Sequence, residues 1–200
     1  MTVAFSFVFP FLLAMALCQC TLSLLGKPVA GWVRTAVIAF GAAFMVMLPI
    51  GGLPVARWLV SLQANTSITL TALLFFRVLE NAFQIPVLDQ KAKAACRVFS
   101  IVGGTLLYPM ALGLGAFDPY VAGWHFSWLF VLMLTVTLVL LFLKNRFSLV
   151  LLAAILAYDV HLLESGNLWD YLVDPILILV SVGAMLGKIW GRCYGAASVD

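Results

Sequence analysis

Long apolar runs dominate this sequence, and they constrain its fold more than any other feature. Several runs, such as residues 3–25 and 119–143, approach or exceed the ~20 residues that an α-helix needs to cross a bilayer core. The chain has 200 residues, of which 64% are hydrophobic and 10% charged, whereas a soluble domain is about 45–50% apolar and about 25% charged. The runs are continuously apolar, which argues against a transmembrane β-barrel. We therefore expect an all-α, polytopic membrane protein.

Turn and cap residues divide the runs into seven predicted crossings within a single domain, residues 1–200. The predicted crossings are about residues 3–25, 32–50, 66–83, 98–117, 119–143, 147–164 and 175–190, and two surface helices lie at about 54–63 and 167–173. The third crossing has two interpretations, because Asn65-Thr66-Ser67 can cap a helix but the apolar pattern also extends back to Trp58. The first crossing is expected to be retained, since no lysine or arginine precedes Lys27 as in a signal peptide.

The basic residues predict the orientation. With seven crossings, nine bases fall on one side, only Arg57 falls in a loop on the other, and Arg77 lies within the third helix. Cytoplasmic loops carry the excess of lysine and arginine, so we expect the N-terminus outside and the C-terminus in the cytoplasm. The nine bases are Lys27, Arg34, Lys91, Lys93, Arg97, Lys144, Arg146, Lys188 and Arg192.

Most acids and both histidines then belong to the outer side. Asp118 and Asp174 each precede a proline and are expected to cap helices, and Asp170 favours the start of one. Four further residues form the candidate binding site: His125, Asp159, His161 and Glu164. Ionisable residues at membrane depth are rare and are functional candidates by default.

His125 and Asp159 should lie at one depth on neighbouring antiparallel helices. Asp159 points away from His161 and Glu164, which share the other face of its helix. A buried pair bracing the two helices is one interpretation. A binding site for a solute, an ion or a lipid headgroup is a second, and general acid–base catalysis is a third. Ligation of a haem by His125 and His161 is a fourth.

Other patterns predict packing rather than chemistry. Gly183, Gly187 and Gly191 recur every four residues, a spacing that allows close helix packing within the bundle, with another membrane protein or with a second copy. Arg77 and Glu80 are three residues apart and are expected to pair. The four cysteines show no metal-binding pattern, and we expect neither a metal nor another cofactor.

These features together predict a non-enzymatic inner-membrane protein of a bacterium. It would serve as an accessory or small transport component of the cell envelope, with a polar site that opens to the outer face. Membrane lipids are its expected partners, and nucleic acid is not, because the basic residues are spread over several loops. The alternative is a membrane-embedded enzyme that acts on a lipid or lipid-linked substrate from the outer face.

Overall fold

The computed structural model describes the backbone of residues 5–197 and the side chains of residues 6–187. Over this range the regular secondary structure is helical apart from one short hairpin, which confirms the all-α prediction. The helices are α1 (Phe5–Leu24), α2 (Trp32–Met47), α3 (Val55–Leu62), α4 (Ile68–Phe83), α5 (Gln90–Ala111), α6 (Trp128–Phe142), α7 (Phe147–Asp159), α8 (Leu168–Leu172) and α9 (Pro175–Ala197), with a 3-10 helix at Pro119–Gly123.

A two-residue hairpin joins α2 to α3. Strands β1 (Pro49–Ile50) and β2 (Leu53–Pro54) pair antiparallel. Gly51 and Gly52 have φ of 59° and 84°, the left-handed backbone that a tight two-residue turn requires. The indole Nε1 of Trp58 donates to the carbonyl of Ile50 at 2.9 Å, which fixes α3 against the hairpin.

The start of α4 distinguishes the two interpretations of the third crossing. The helix begins at Ile68, and the Ser67 hydroxyl caps it by accepting from the amide of Leu70 at 3.1 Å. The separate helix α3 ends at Leu62, so the segment between them is not helical. This arrangement is the one that a cap within residues 65–67 predicts.

Helix α5 differs from its prediction at both ends. It begins at Gln90, eight residues earlier than expected, because Asp89 caps it by accepting from the amide of Ala92 at 2.8 Å. Residues 90–97 are polar and basic, and the prediction placed them outside the crossing, as a loop or a surface helix; they are instead the first turns of α5. The helix ends at Ala111, six residues before the predicted end at residue 117, and Pro109 lies in its last turn. Gly113 and Gly115, just beyond the helix, have positive φ.

The predicted helix 119–143 is also wrong, because the chain is not continuously helical there. Asp118 accepts from the amide of Tyr120 at 2.9 Å and starts the 3-10 helix. That helix ends at Gly123, and Ser127 caps α6 by accepting from the amide of Leu129. His125 therefore lies in the connection between two helices and not inside one.

The predicted helix 147–164 ends five residues early, at Asp159. The amide of Leu162 donates to the carbonyl of Ala157, and that of His161 donates to the carbonyl of Tyr158, both at 2.9 Å. These two bonds, with His161 at a φ of 52°, form a Schellman motif that terminates the helix. An asparagine or glycine is the usual signal for this motif, and neither is present at position 161.

The loops that join the helices lie at two ends of the helical bundle, where hydrogen bonds connect them to one another. At the basic end, defined by residues 25–31, 84–89 and 143–146, the Arg146 guanidinium donates to the carbonyls of Pro86 and Val87 at 2.9 and 2.8 Å. At the acidic end, defined by residues 48–67, 112–127 and 160–174, the amide of Ser67 donates to the Asp174 carboxylate at 2.8 Å. Consecutive long helices therefore run in opposite directions between the two ends.

Close packing of two helices occurs at Gly104, which is not one of the regularly spaced glycines that the sequence pattern predicts to pack. A Cβ at Gly104 would overlap the side chain of Ile178, so α5 and α9 approach closely there. Gly183 and Gly187 are exposed, and no atom of the described side chains, residues 6–187, lies within 4 Å of a Cβ placed on either of them. The surroundings of Gly191 lie outside the described range. Packing through these three glycines stays a prediction.

Within residues 6–187, two helices are long and apolar enough to cross a membrane, at Ser6–Leu24 and Gln90–Ala111. Length and composition alone give this weak support for a membrane protein, because core helices of soluble proteins meet the same criterion. The same range contains shorter apolar helical stretches of 10–17 residues: Trp32–Met47, Trp128–Phe142, Phe147–Asp159 and Pro175–Gly187, the last being only the part of α9 whose side chains are described.

Candidate binding site

A polar cavity of about 550 Å³ lies at the acidic end of the bundle. Its walls come from the segment after α3, the last turn of α5, the 3-10 helix, and α8 with the start of α9. The polar side chains that line it are those of Gln63, Asn65, Tyr108, Tyr120, Asp170 and Asp174. A cavity of this volume is within the ~300–1,000 Å³ of small-molecule sites.

The centre of the polar wall is a tyrosine–carboxylate pair. The hydroxyl of Tyr120 donates to Asp170, with its oxygen 3.0 Å from Oδ2 and 3.2 Å from Oδ1. Burial, together with the negative charge of Asp170, raises the pKa of Tyr120 to about 12. The hydroxyl therefore stays protonated at neutral pH, and Asp170 stays in place as an acceptor.

The short helix α8 that carries Asp170 is fixed by its neighbours. Asn167 caps it by accepting from the amide of Trp169 at 3.0 Å and donates its Nδ2 to the carbonyl of Tyr120 at 2.9 Å. The Trp169 indole donates to the carbonyl of Pro119 at 2.9 Å. These bonds tie α8 to the 3-10 helix, so the position of Asp170 relative to Tyr120 is set by the fold.

Tyr171 fixes α8 on its other side. The side chain is fully buried, and its hydroxyl accepts from the amide of Leu163 at 3.0 Å and donates to the carbonyl of Ser165 at 3.1 Å. The polar loop after α7 is thereby held against α8. Because the loop, α8 and the 3-10 helix are bonded to one another, this wall of the cavity is preorganised.

Asp174 belongs to the same wall but has a structural role. It is 1% exposed, its Oδ1 accepts from the amide of Leu177 and its Oδ2 accepts from the amide of Ser67, both at 2.8 Å. One carboxylate therefore satisfies the N-terminus of α9 and braces it against the start of α4. The predicted capping role of Asp174 is confirmed, and so is that of Asp118.

The other polar groups of the cavity retain hydrogen-bonding capacity. The only ion pair between described side chains joins Lys93 to Glu80 at the opposite end, so Asp170 has no described cation beside it. The hydroxyl of Tyr108 makes no hydrogen bond to a described residue. The Oδ1 atom of Asn65 is buried and also lacks a partner within the described part of the chain. The site thus offers a carboxylate, two phenol rings and an amide oxygen, a set suited to a cation.

The four predicted site residues lie elsewhere. His125, Asp159, His161 and Glu164 are all exposed, and no hydrogen bond or ion pair joins the side chains of any two of them within residues 6–187. The Nδ1 atom of His161 lies 3.1 Å from the backbone carbonyls of Tyr158 and Asp159. The buried His125–Asp159 pair is therefore absent from this structure: both side chains are exposed, and His125 lies in the connection before α6 and not inside a helix. A binding role for the four residues stays a prediction.

Sequence reasoning placed the polar residues on the correct end of the bundle but missed the cavity. Asp170 was interpreted only as a helix-start residue, and Tyr108 and Tyr120 were not singled out. The four segments that meet here are distant in sequence, so no spacing pattern links them. The signal that was present is the Asp118-Pro119-Tyr120 and Trp169-Asp170-Tyr171 clusters, each of which combines a carboxylate with aromatic residues.

Comparison with known proteins identifies no relative: no protein-family model matches the sequence, and no curated protein and no solved structure is significantly similar to it.

Proposed function

We propose that this chain is a non-enzymatic, multi-pass protein of the bacterial inner membrane that binds a small organic cation in the cavity at its acidic end. In this role it would be an accessory or transport component of the cell envelope. The observation that carries the proposal is the preorganised Tyr120–Asp170 pair, which lies in a 550 Å³ cavity without a described cation beside it.

The exposed surface of the helices supports a membrane location with seven crossings. Large apolar side chains point outward along the bundle, among them Phe40, 80% exposed, Leu179, 72% exposed, and Phe142, 88% exposed. Soluble monomers rarely expose contiguous apolar surface on this scale. The shorter apolar helices cross the bilayer in this proposal with help from local thinning, which costs only fractions of a kcal/mol per Å of mismatch.

The charge distribution supports the direction of the crossings. Apart from Arg57, the described bases lie at the basic end or in the helical turns near it, whereas five of the eight acids lie at or directly beside the acidic end: Asp118, Asp159, Glu164, Asp170 and Asp174. The positive-inside rule then places the basic end in the cytoplasm and the cavity on the outer face. A solute outside the cell membrane would reach Asp170 without crossing the bilayer.

The chemistry of the cavity favours an organic ammonium group over a bare metal ion. One carboxylate supplies the charge, and the rings of Tyr108 and Tyr120 can stabilise a cation through their faces. Such aromatic sites are typical of quaternary and alkylated ammonium ligands. Within the described residues no group of three histidine, cysteine or carboxylate side chains could hold a metal ion.

The experiment measures stabilisation of the purified protein in lipid nanodiscs by ethylammonium, choline and spermidine, against sodium chloride of equal ionic strength. We expect at least one of these organic cations to raise the melting temperature at a concentration where sodium does not. Asp170→Asn should weaken its binding about tenfold or more, because a charge-assisted contact is lost. Asp159→Asn is the matched control, since Asp159 is an exposed acid at the same end and outside the cavity.

Two outcomes would contradict the proposal. The first is that none of the three organic cations raises the melting temperature of the wild-type protein beyond the effect of sodium. Alternatively, Asp159→Asn could weaken binding as much as Asp170→Asn, which would assign the site to the exposed residues predicted from sequence.

A further inference from the structure

A second cavity, of about 410 Å³, opens near the basic end between α4, α5 and α9. Its polar rim contains three bases, Arg77, Lys93 and Arg97, and one acid, Glu80. The rim therefore carries a formal charge of three minus one, or plus two. The opposite cavity has the reverse character, with two carboxylates and no base in its lining.

The pairing at this rim differs from the sequence prediction and leaves both arginines free. Glu80 pairs with Lys93 at 2.9 Å and not with Arg77, and its second oxygen accepts from the amide of Leu88 at 3.0 Å. Arg77 and Arg97 have no hydrogen bond or ion pair with any described residue. The only acid of the rim is thus already occupied.

Both arginines lie at similar distances along the bundle from its basic end. Arg77, which is exposed, lies six residues before the end of α4, and Arg97, which is half-buried, lies seven residues after the start of α5, about 9 and 10.5 Å at 1.5 Å per residue. A free arginine at such depth is costly in a bilayer unless an anion accompanies it. The protein supplies no such anion among its described residues.

The rest of the cavity is apolar. Leu70, Leu73 and Leu74 of α4 face Val180 and Ala184 of α9 across it. Apolar walls that run from a charged rim toward the middle of the bundle match a molecule with one anionic end and one hydrocarbon end. A soluble anion would leave these walls without a partner.

We propose that this cavity binds an anionic phospholipid of the cytoplasmic leaflet. The headgroup phosphate lies between Arg77 and Arg97, whose planar guanidinium groups suit bidentate contacts to phosphate oxygens. An acyl chain lies along α4 and α9. The proposal depends on the membrane orientation given above but not on the ligand of the outer cavity, so either can fail alone.

The test uses the full-length protein in nanodiscs that contain phosphatidylcholine with increasing fractions of phosphatidylglycerol. Native mass spectrometry then counts the lipids that stay bound to the protein. We expect the wild type to retain phosphatidylglycerol over phosphatidylcholine, and R77Q/R97Q to lower that preference about tenfold or more. The matched control is R34Q/K91Q, which removes the same charge from exposed residues of the same end, outside the cavity.

If R77Q/R97Q fails to fold, as judged by helicity and gel filtration, R77K/R97K replaces it. Lysine keeps the charge but loses the bidentate fork, so retention of phosphatidylglycerol should fall to an intermediate level. Inorganic phosphate at millimolar concentration should not displace the lipid, because it cannot fill the apolar walls.

Three outcomes would overturn the inference. The wild type could show no preference for the anionic lipid, or R34Q/K91Q could reduce it as much as R77Q/R97Q. Displacement by inorganic phosphate would show instead that the arginines bind a soluble anion. If the preference is absent while the outer cavity still binds an organic cation, only this inference fails.

Discussion

The cavity at the acidic end and the cavity at the basic end, called the outer and the inner cavity after the proposed orientation, differ in the sign of their charge and in how their walls are held. In the outer cavity, Asp170 is bonded to Tyr120, and α8 is fixed through Asn167 and Trp169. In the inner cavity, Arg77 and Arg97 have no partner among the described residues. One site is therefore assembled by the fold itself, whereas the other has charges that the fold leaves unbalanced.

This difference indicates what each cavity needs from its surroundings. Preorganised polar walls lower the entropic cost of binding a small solute, because few groups must be ordered when it arrives. Unbalanced arginines inside a bilayer instead require a resident anion for their own stability. We therefore expect the outer ligand to exchange readily and the inner lipid to remain bound through purification.

The largest expected effect on stability comes from replacing Asp174, one of the two acids of the outer cavity. Asp174→Leu leaves the amides of Ser67 and Leu177 buried without an acceptor, at about 1–3 kcal/mol each. The free energy of unfolding should therefore fall by about 2–6 kcal/mol. Denaturant titration of helicity in detergent measures it.

Asp170→Asn is the comparison for that measurement, because its side chain bonds only the Tyr120 hydroxyl and the amide can still accept from it. We expect a change below about 1.5 kcal/mol. Equal losses for the two substitutions would show that both carboxylates are structural and that the cavity has no free acid.

A smaller effect is expected from the glycines. Gly104→Leu must displace Ile178 at the contact between α5 and α9, and overpacking of this kind costs about 1–3 kcal/mol. Ile178→Ala in the same chain should restore part of the loss. Thermal unfolding in detergent measures both.

Gly187→Leu is the matched control on α9 and should change the stability of the monomer by less than about 0.5 kcal/mol, since no atom of the described side chains lies within 4 Å of a Cβ at that position. If Gly187→Leu instead dissociates an oligomer seen by gel filtration, the face of α9 that carries Gly183 and Gly187 contacts a second copy. A loss of monomer stability equal to that of Gly104→Leu would contradict the packing described here.

Much of the helical framework could be predicted from sequence because its signals are local. An aspartate followed by a proline predicts a helix start at both Asp118 and Asp174. The cap residue Ser67 likewise marks the start of α4. The errors arise where apolarity and helicity diverge. Residues 90–97 are polar yet helical, and residues 124–127 lie within a long apolar run yet are not helical.

The candidate site could not be predicted because it depends on contacts between distant segments. The expected pairing of His125 with Asp159 assumed two unbroken helices, and the breaks at Gly123 and His161 remove that geometry. The actual pairing of Tyr120 with Asp170 spans 50 residues and depends on the Asn167 and Trp169 bonds. No periodicity in the sequence encodes such a contact.

The central claim is that the two cavities open on opposite sides of one membrane, and cysteine labelling tests it most directly. Single cysteines replace Ala64, exposed in the lining of the outer cavity, and Lys91, exposed at the start of α5, which lines the inner cavity, after the four native cysteines are changed to serine. A membrane-impermeant maleimide is then added to intact bacterial spheroplasts expressing each variant. Position 64 should be labelled at once, and position 91 only after the membrane is permeabilised. Labelling of both positions from the same side, or of position 91 alone before permeabilisation, would contradict the account.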